Sequence, residues 1–223
     1  MRLFTAAAAS LLLLSPAGRA ATLDQSHVIQ PDPNVAGYAG VNEAGDRAQT
    51  FTVGLGGRLD RVDLQVFRDP AAPAQVPLRV EIRSTSSGVP APDDAPLLAS
   101  GVLAPESVPI KNNAVPQPVV LTAVDLSASN LVVSPGDVLA IVLRSSAPSG
   151  TLGYGWQFQP VAGGGYGAGI SFERVRQVHG DTFRARHPET DLGFQTYVTV
   201  PEPAAGALLL VLVMATVGRR RRR

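Results

Sequence analysis

Leu78, Val80 and Ile82 alternate with Arg79, Glu81 and Arg83. A period of two sends the aliphatic set to one face of an extended strand and the charged set to the other, which no helix can do. The pattern recurs at Val62, Leu64 and Val66, which alternate with Asp63 and Gln65, and at Phe51 and Val53 in residues 49–53. No stretch of the body keeps a helical period for three turns, and 22 glycines and 19 prolines punctuate the chain. Strands are expected over residues 49–53, 62–66, 78–83, 97–103, 119–126, 138–143, 153–159, 169–175 and 194–200. Turns fall at residues 54–57 and at Pro135-Gly136-Asp137, and loops at 69–77, 88–96 and 105–118. Short strands spaced by turns, with no internal repeat, predict an all-β fold, a jelly-roll-like β-sandwich rather than a propeller or solenoid.

Both ends of the chain lie outside that fold. Arg2 opens a short n-region, residues 3–14 are apolar apart from Thr5 and Ser10, and Ser15-Pro16 breaks the run. Gly18-Arg19-Ala20 supplies the small residues that a signal peptidase reads, so residues 1–20 are expected to be a secretory signal peptide cleaved after Ala20. The sandwich domain is then residues 21–199, and residues 200–223 form a tail. That tail reads Pro201-Glu202-Pro203, an apolar run, then Gly218 and Arg219, Arg220, Arg221, Arg222 and Arg223. Residues 204–218 as a helix would be roughly 22 Å long. A bilayer core is roughly 30 Å thick, so this is a short transmembrane helix that makes a poor permanent anchor. The five arginines act as a stop-transfer tail, keeping the C-terminus cytoplasmic and the body outside. The flanking prolines hold residues 201–203 extended near the outer interface.

This motif, apolar segment and arginine cluster resemble the PEP-CTERM sorting signal, the mark carried by substrates of exosortases in Gram-negative bacteria. The resemblance implies a protein exported by the secretory machinery and held transiently in the inner membrane. An exosortase would then process it at Pro201, Glu202 and Pro203 for delivery to the cell surface or extracellular matrix. It also implies association with exopolysaccharide and biofilm. The body carries a second, degenerate pattern: Gln49-Thr50-Phe51-Thr52-Val53, the 78–84 strand with Gly88-Val89-Pro90, Tyr154-Gly155-Trp156, and Asp191-Leu192-Gly193-Phe194-Gln195-Thr196-Tyr197-Val198. It resembles secreted bacterial sandwich domains similar to carbohydrate-binding modules. This implies binding or structural work rather than catalysis: an adhesive or matrix component, or alternatively a glycan- or small-ligand-binding module tethered at the envelope.

The end segments also distort the charge. The chain has formal net charge +1, but Arg2, Arg19 and the five terminal arginines are seven of its nineteen bases, and Glu202 is one of eighteen acids. Residues 21–200 therefore carry twelve bases and seventeen acids, a net of −5. An acidic body with dispersed arginines has no footprint for nucleic acid. Cysteine is absent, so the exported body holds together without disulfides. Lys111 is the single lysine.

Candidate chemistry is sparse. Tyr154, Trp156 and Phe158 alternate and so share a strand face, and Tyr166 sits in a glycine-rich loop. Flat aromatic rings with polar edges suit sugar faces, which makes Tyr154, Trp156 and Tyr166 a candidate glycan platform. The competing reading places Trp156 and Phe158 in the core, where large aromatics usually go. His187, Glu189 and Asp191 are spaced by two, and His179 lies near Asp181, but no second ligand pair accompanies either group. A solvated loop without metal is the expectation, and no cofactor is implied. Asp93-Asp94 in a proline-rich loop reads as solvation. No serine elbow, phosphate loop or positioned acid and base is visible, so no catalytic residue is expected.

Overall fold

The computed structural model describes residues 20–30, 37–111, 119–158, 165–186 and 190–201. The first strands are β1 (Thr22–His27), β2 (Gly37–Val41), β3 (Gly45–Thr52), β4 (Gly57–Leu64) and β5 (Val66–Arg68). There follow β6 (Leu78–Ser86), β7 (Val89–Pro90), β8 (Ala99–Leu103), β9 (Thr122–Asp125) and β10 (Val132–Val133). The last are β11 (Val138–Ser145), β12 (Tyr154–Phe158), β13 (Ser171–Val175), β14 (Arg184–Ala185) and β15 (Phe194–Thr199), with a one-turn helix α1 (Arg176–His179) after β13.

These strands make three antiparallel sheets around one core. A five-stranded sheet runs β1-β15-β4, with β9 and β10 both along the far edge of β4. A seven-stranded sheet runs β14-β13-β3-β11-β6, with β8 and β7 both along β6. The three-stranded sheet β2-β12-β5 joins the other two at one side, because its outer strands continue theirs. The hairpin bridge between Asn42 and Gly45 leads β2 into β3, and β5 follows β4 after a single residue, Gln65. The result is an all-β sandwich curled toward a barrel.

Gln65 explains how one strand serves two sheets. Its backbone N–H donates to the Gly193 carbonyl at 3.1 Å and its carbonyl accepts from Gln157 N–H at 2.9 Å. Its side-chain amide clamps the backbone of Ile29, accepting from Ile29 N–H at 2.6 Å and donating to Ile29 O at 2.9 Å. Every polar group of a fully buried glutamine is thereby paired, which is what burial of an amide requires. A bulge at Asp60, where the register with β15 shifts between Tyr197 and Val198, lets both Leu59 and Val62 face the core.

The core follows the alternation closely. Leu78, Val80 and Ile82 of β6 and Leu139, Ile141 and Leu143 of β11 pack with Phe51, Val62, Leu64, Phe194 and Val198. Burying each such side chain stabilises the fold by about 1.5–3 kcal/mol. The polar positions depart from it: Asp63, Gln65, Glu81 and Arg83, assigned by period to the opposite face, are buried as well. A smaller apolar cluster of Ala48, Ala140, Val142, Phe172 and Phe183 lies on the outer face of the seven-stranded sheet. There the segment after β13 folds back and covers it.

Each of the nine expected strand segments contains a strand. β1 and β2 were not expected, because Thr-Leu-Asp-Gln-Ser-His and Gly-Tyr-Ala-Gly-Val show no clean apolar period. Among the described residues no helix is long and apolar enough to cross a membrane. The signal peptide up to residue 19, Glu202, Pro203, the apolar segment and the five terminal arginines lie outside the described residues.

Candidate functional site

The glycan platform drawn from the sequence is not on the surface. Tyr154 and Trp156 do share a face of β12, but that face is the core, and both are fully buried. The Tyr154 hydroxyl donates to the Val76 carbonyl at 2.5 Å, and Trp156 Nε1–H donates to the Gly193 carbonyl at 2.9 Å. Tyr166 also packs inward, its ring edge-on to Phe194 at 5.1 Å, and its hydroxyl donates to Gln25 Oε1 at 2.6 Å. Burial pushes its phenol up to about 12, so it stays a neutral donor. The polar edges that would have met a sugar are all committed to the protein's own backbone and side chains. Phe158 is half-buried against the same core, with the Arg186 guanidinium 4.9 Å from its ring centre.

The opposite face of the same sheet carries a different aromatic group. Tyr38 of β2 and Phe67 of β5 meet edge-to-face at 5.3 Å across β12. They can meet because the intervening position is Gly155, where a β-carbon would come within 2.6 Å of Phe67 Cε2. The backbone of residues 108–111 runs beside β5, with Arg68 N–H donating to Pro109 O at 2.8 Å and Lys111 N–H to Arg68 O at 2.9 Å. This run carries Lys111 to the rings, its Nζ 4.5 Å from the Tyr38 centroid and 5.7 Å from that of Phe67. Gln157, the cross-strand partner of Tyr38, completes the group. Tyr38 remains 44 % exposed. Sequence reasoning missed this cluster, although the single lysine and the Gly-Tyr-Ala-Gly run were visible.

The densest set of charges lies on the outer face of the seven-stranded sheet. Arg174 of β13 is entirely buried and donates from Nε to Asp46 Oδ2 at 2.9 Å and from Nη1 to Asp93 Oδ1 at 2.9 Å. Arg144 pairs with the same Asp93, and Arg83 Nε reaches Glu81 Oε2 at 2.7 Å. Arg176 adds a second cation to Asp46 at 3.0 Å, and Phe183 lies under the Arg174 guanidinium at 4.6 Å. The expectation of a solvated Asp93 therefore fails. Its carboxylate pins the 88–96 loop onto the sheet by pairing with Arg144 and Arg174, whose other partners, Glu81 and Asp46, lie on the sheet itself. Partial burial works to raise its pKa, but the hydrogen bonds and charges of Arg144 and Arg174 outweigh this and hold it well below the ordinary carboxylate range. A carboxylate locked in this way offers a clasp, not an acid or base.

The histidine and carboxylate groups are described only in part. His179 Nδ1 accepts from Val175 N–H at 3.2 Å, while the Asp181 side chain is largely exposed beside Arg174 at 3.9 Å. Asp191 is buried and accepts from the Gln49 amide at 3.0 Å and Tyr166 N–H at 2.7 Å. Burial raises its pKa, and burial lowers that of the neighbouring His27, against the attraction of Asp191. His187 and Glu189 lie outside the described residues. Among the described residues no group of three His, Asp or Glu is placed to hold a metal ion. Comparison with protein-family models and with curated proteins finds no match to this chain.

Proposed function

We propose that this chain is an exported surface or extracellular-matrix protein whose jelly-roll-like body is released from a transient inner-membrane intermediate by an exosortase. The body is a non-catalytic adhesive or biofilm component associated with exopolysaccharide. The observation that carries the reading is where the two processing segments leave the fold. β1 begins two residues after Ala20, and Thr22 pairs with Val198 near the end of β15. β15 is paired on both sides, by β1 and β4, and the chain then passes to exposed Val200 and Pro201. Ala20 and Pro201, the described residues nearest the two proposed cleavage regions, thus lie at the same end of one sheet. Cutting at either removes no residue of a paired strand, and an extended, accessible segment next to a short apolar run is what a membrane protease needs.

The alternative, a glycan- or small-ligand-binding module tethered at the envelope, draws support from the pair made by exposed Tyr38 and half-buried Phe67. The two readings share the same sorting step. Replacing Glu202 with alanine in the producing cell tests that step. The account expects the body to accumulate in the membrane fraction, and unchanged release of the variant would refute it.

A further inference from the structure

We propose that the outer face of the β2-β12-β5 sheet binds a carbohydrate bearing a carboxylate, a uronic-acid type pyranose. This rests on the proposed envelope placement only for the supply of such a ligand. The apolar part of the site is the Tyr38 and Phe67 pair, set 5.3 Å apart on a sheet face that Gly155 keeps clear of side chains. Ring C–H faces of a pyranose fit such a surface, and its hydroxyls need polar groups at the rim. Those groups are present. No described residue forms a hydrogen bond with the Tyr38 hydroxyl or with the side-chain amide of Gln157. In this they differ from Tyr154, Trp156 and Tyr166, whose polar atoms all serve the core.

The charge selects the ligand class. Lys111 lies over both rings, and no described carboxylate is within ion-pair distance of it. Among the described residues eight of the eleven arginines pair with carboxylates, whereas Lys111, like Arg47, Arg68 and Arg184, has no described carboxylate partner and keeps its charge for a ligand. Cation–π contact leaves most of an ammonium's hydrogen-bonding capacity open, and an incoming carboxylate takes it up without displacing the rings. Because the rest of the body is acidic, the attraction is local and weakens with salt.

The test uses the full chain in detergent, with polygalacturonate as probe and dextran as the neutral control, in affinity electrophoresis. Retardation by polygalacturonate, reduced by added salt and much weaker with dextran, is expected. Lys111→Met keeps the stem over the rings and should weaken binding about tenfold, the value of one charge-assisted contact. Tyr38→Ala should weaken it too, with thermal unfolding showing that both variants remain folded. Equal retardation by the two polymers, no retardation of the unaltered chain, or full-strength binding by either variant would overturn the proposal. Such a failure leaves the sorting step intact, since that is read from processing and release rather than from binding.

Discussion

Replacing Arg174 with methionine removes the cation at the centre of the outer-face network while keeping most of the side chain's length. Arg174 is buried, and its guanidinium supplies both a bond to Asp46 at 2.9 Å and one to Asp93 at 2.9 Å. Deleting one partner of a buried pair leaves the other charge in a low-dielectric site, at a cost of about 3–5 kcal/mol. Asp46 keeps Arg176 at 3.0 Å, which places the expectation at the lower end of that range. For a chain of this size the shift in Tm is about 2–4 °C per kcal/mol, so roughly 6–12 °C for about 3 kcal/mol. Arg176→Met is the matched control: it touches the same carboxylate from a side chain left 39 % exposed, and should cost only about 0–1 kcal/mol. Removing both members of the buried pair, in Asp46→Leu with Arg174→Met, should recover part of the loss, because the uncompensated charge disappears. Urea unfolding with an unchanged m-value is the assay. If Arg174→Met costs less than about 1 kcal/mol, or no more than Arg176→Met, the network is not the clasp described here.

Trp156→Ala should destabilise by about 3–5 kcal/mol through the cavity it leaves, whereas exposed Tyr38→Ala should cost about 1 kcal/mol; comparable losses in urea titrations would refute the inside-out assignment of the aromatics. Gly169→Ala would drive a β-carbon into the Thr50 carbonyl, and should cost about 3 kcal/mol or more. Gly88→Ala meets nothing within 4 Å and carries only the strain of its φ of 78°, about 1 kcal/mol, so a reversal of this order in thermal unfolding would contradict the packing. His27 resists protonation in the fold, so stability falls as pH drops below its unfolded value of about 6.5, and His27→Gln should flatten the midpoint-against-pH curve there. Asp93, depressed, gives stability present above about pH 4 and lost as pH falls toward its folded value. Asp191, raised, acts in the opposite sense: its ionisation costs stability, which acid restores.

Strand periodicity made β6 legible because its aliphatic set faces one uninterrupted core, whereas β11 reads as a continuous apolar run because both its faces are buried. The same signal could not say what covers the other face. Glu81 and Arg83 read as a polar face and lie buried, since Asp93 folds back from the following loop and Arg144 and Arg174 arrive from strands distant in sequence. β1 was invisible for a related reason. Its polar residues are held by pairing with β15 rather than by burial, and backbone pairing leaves no apolar period. Alternation correctly placed Tyr154, Trp156 and Phe158 together but could not decide between core and solvent. The Tyr38, Phe67 and Lys111 group comes from three separate segments, and only Gly155 between them, a residue with no side chain, makes the contact possible.

The central claim is processing at the Pro201-Glu202-Pro203 motif, and intact-mass analysis of the native protein from cells with and without the exosortase tests it most directly. The account predicts a mature form that starts at Ala21 and lacks the apolar segment and arginines, found outside the inner membrane only when the enzyme is present. A full-length C-terminus retained in the inner membrane of both strains would contradict it.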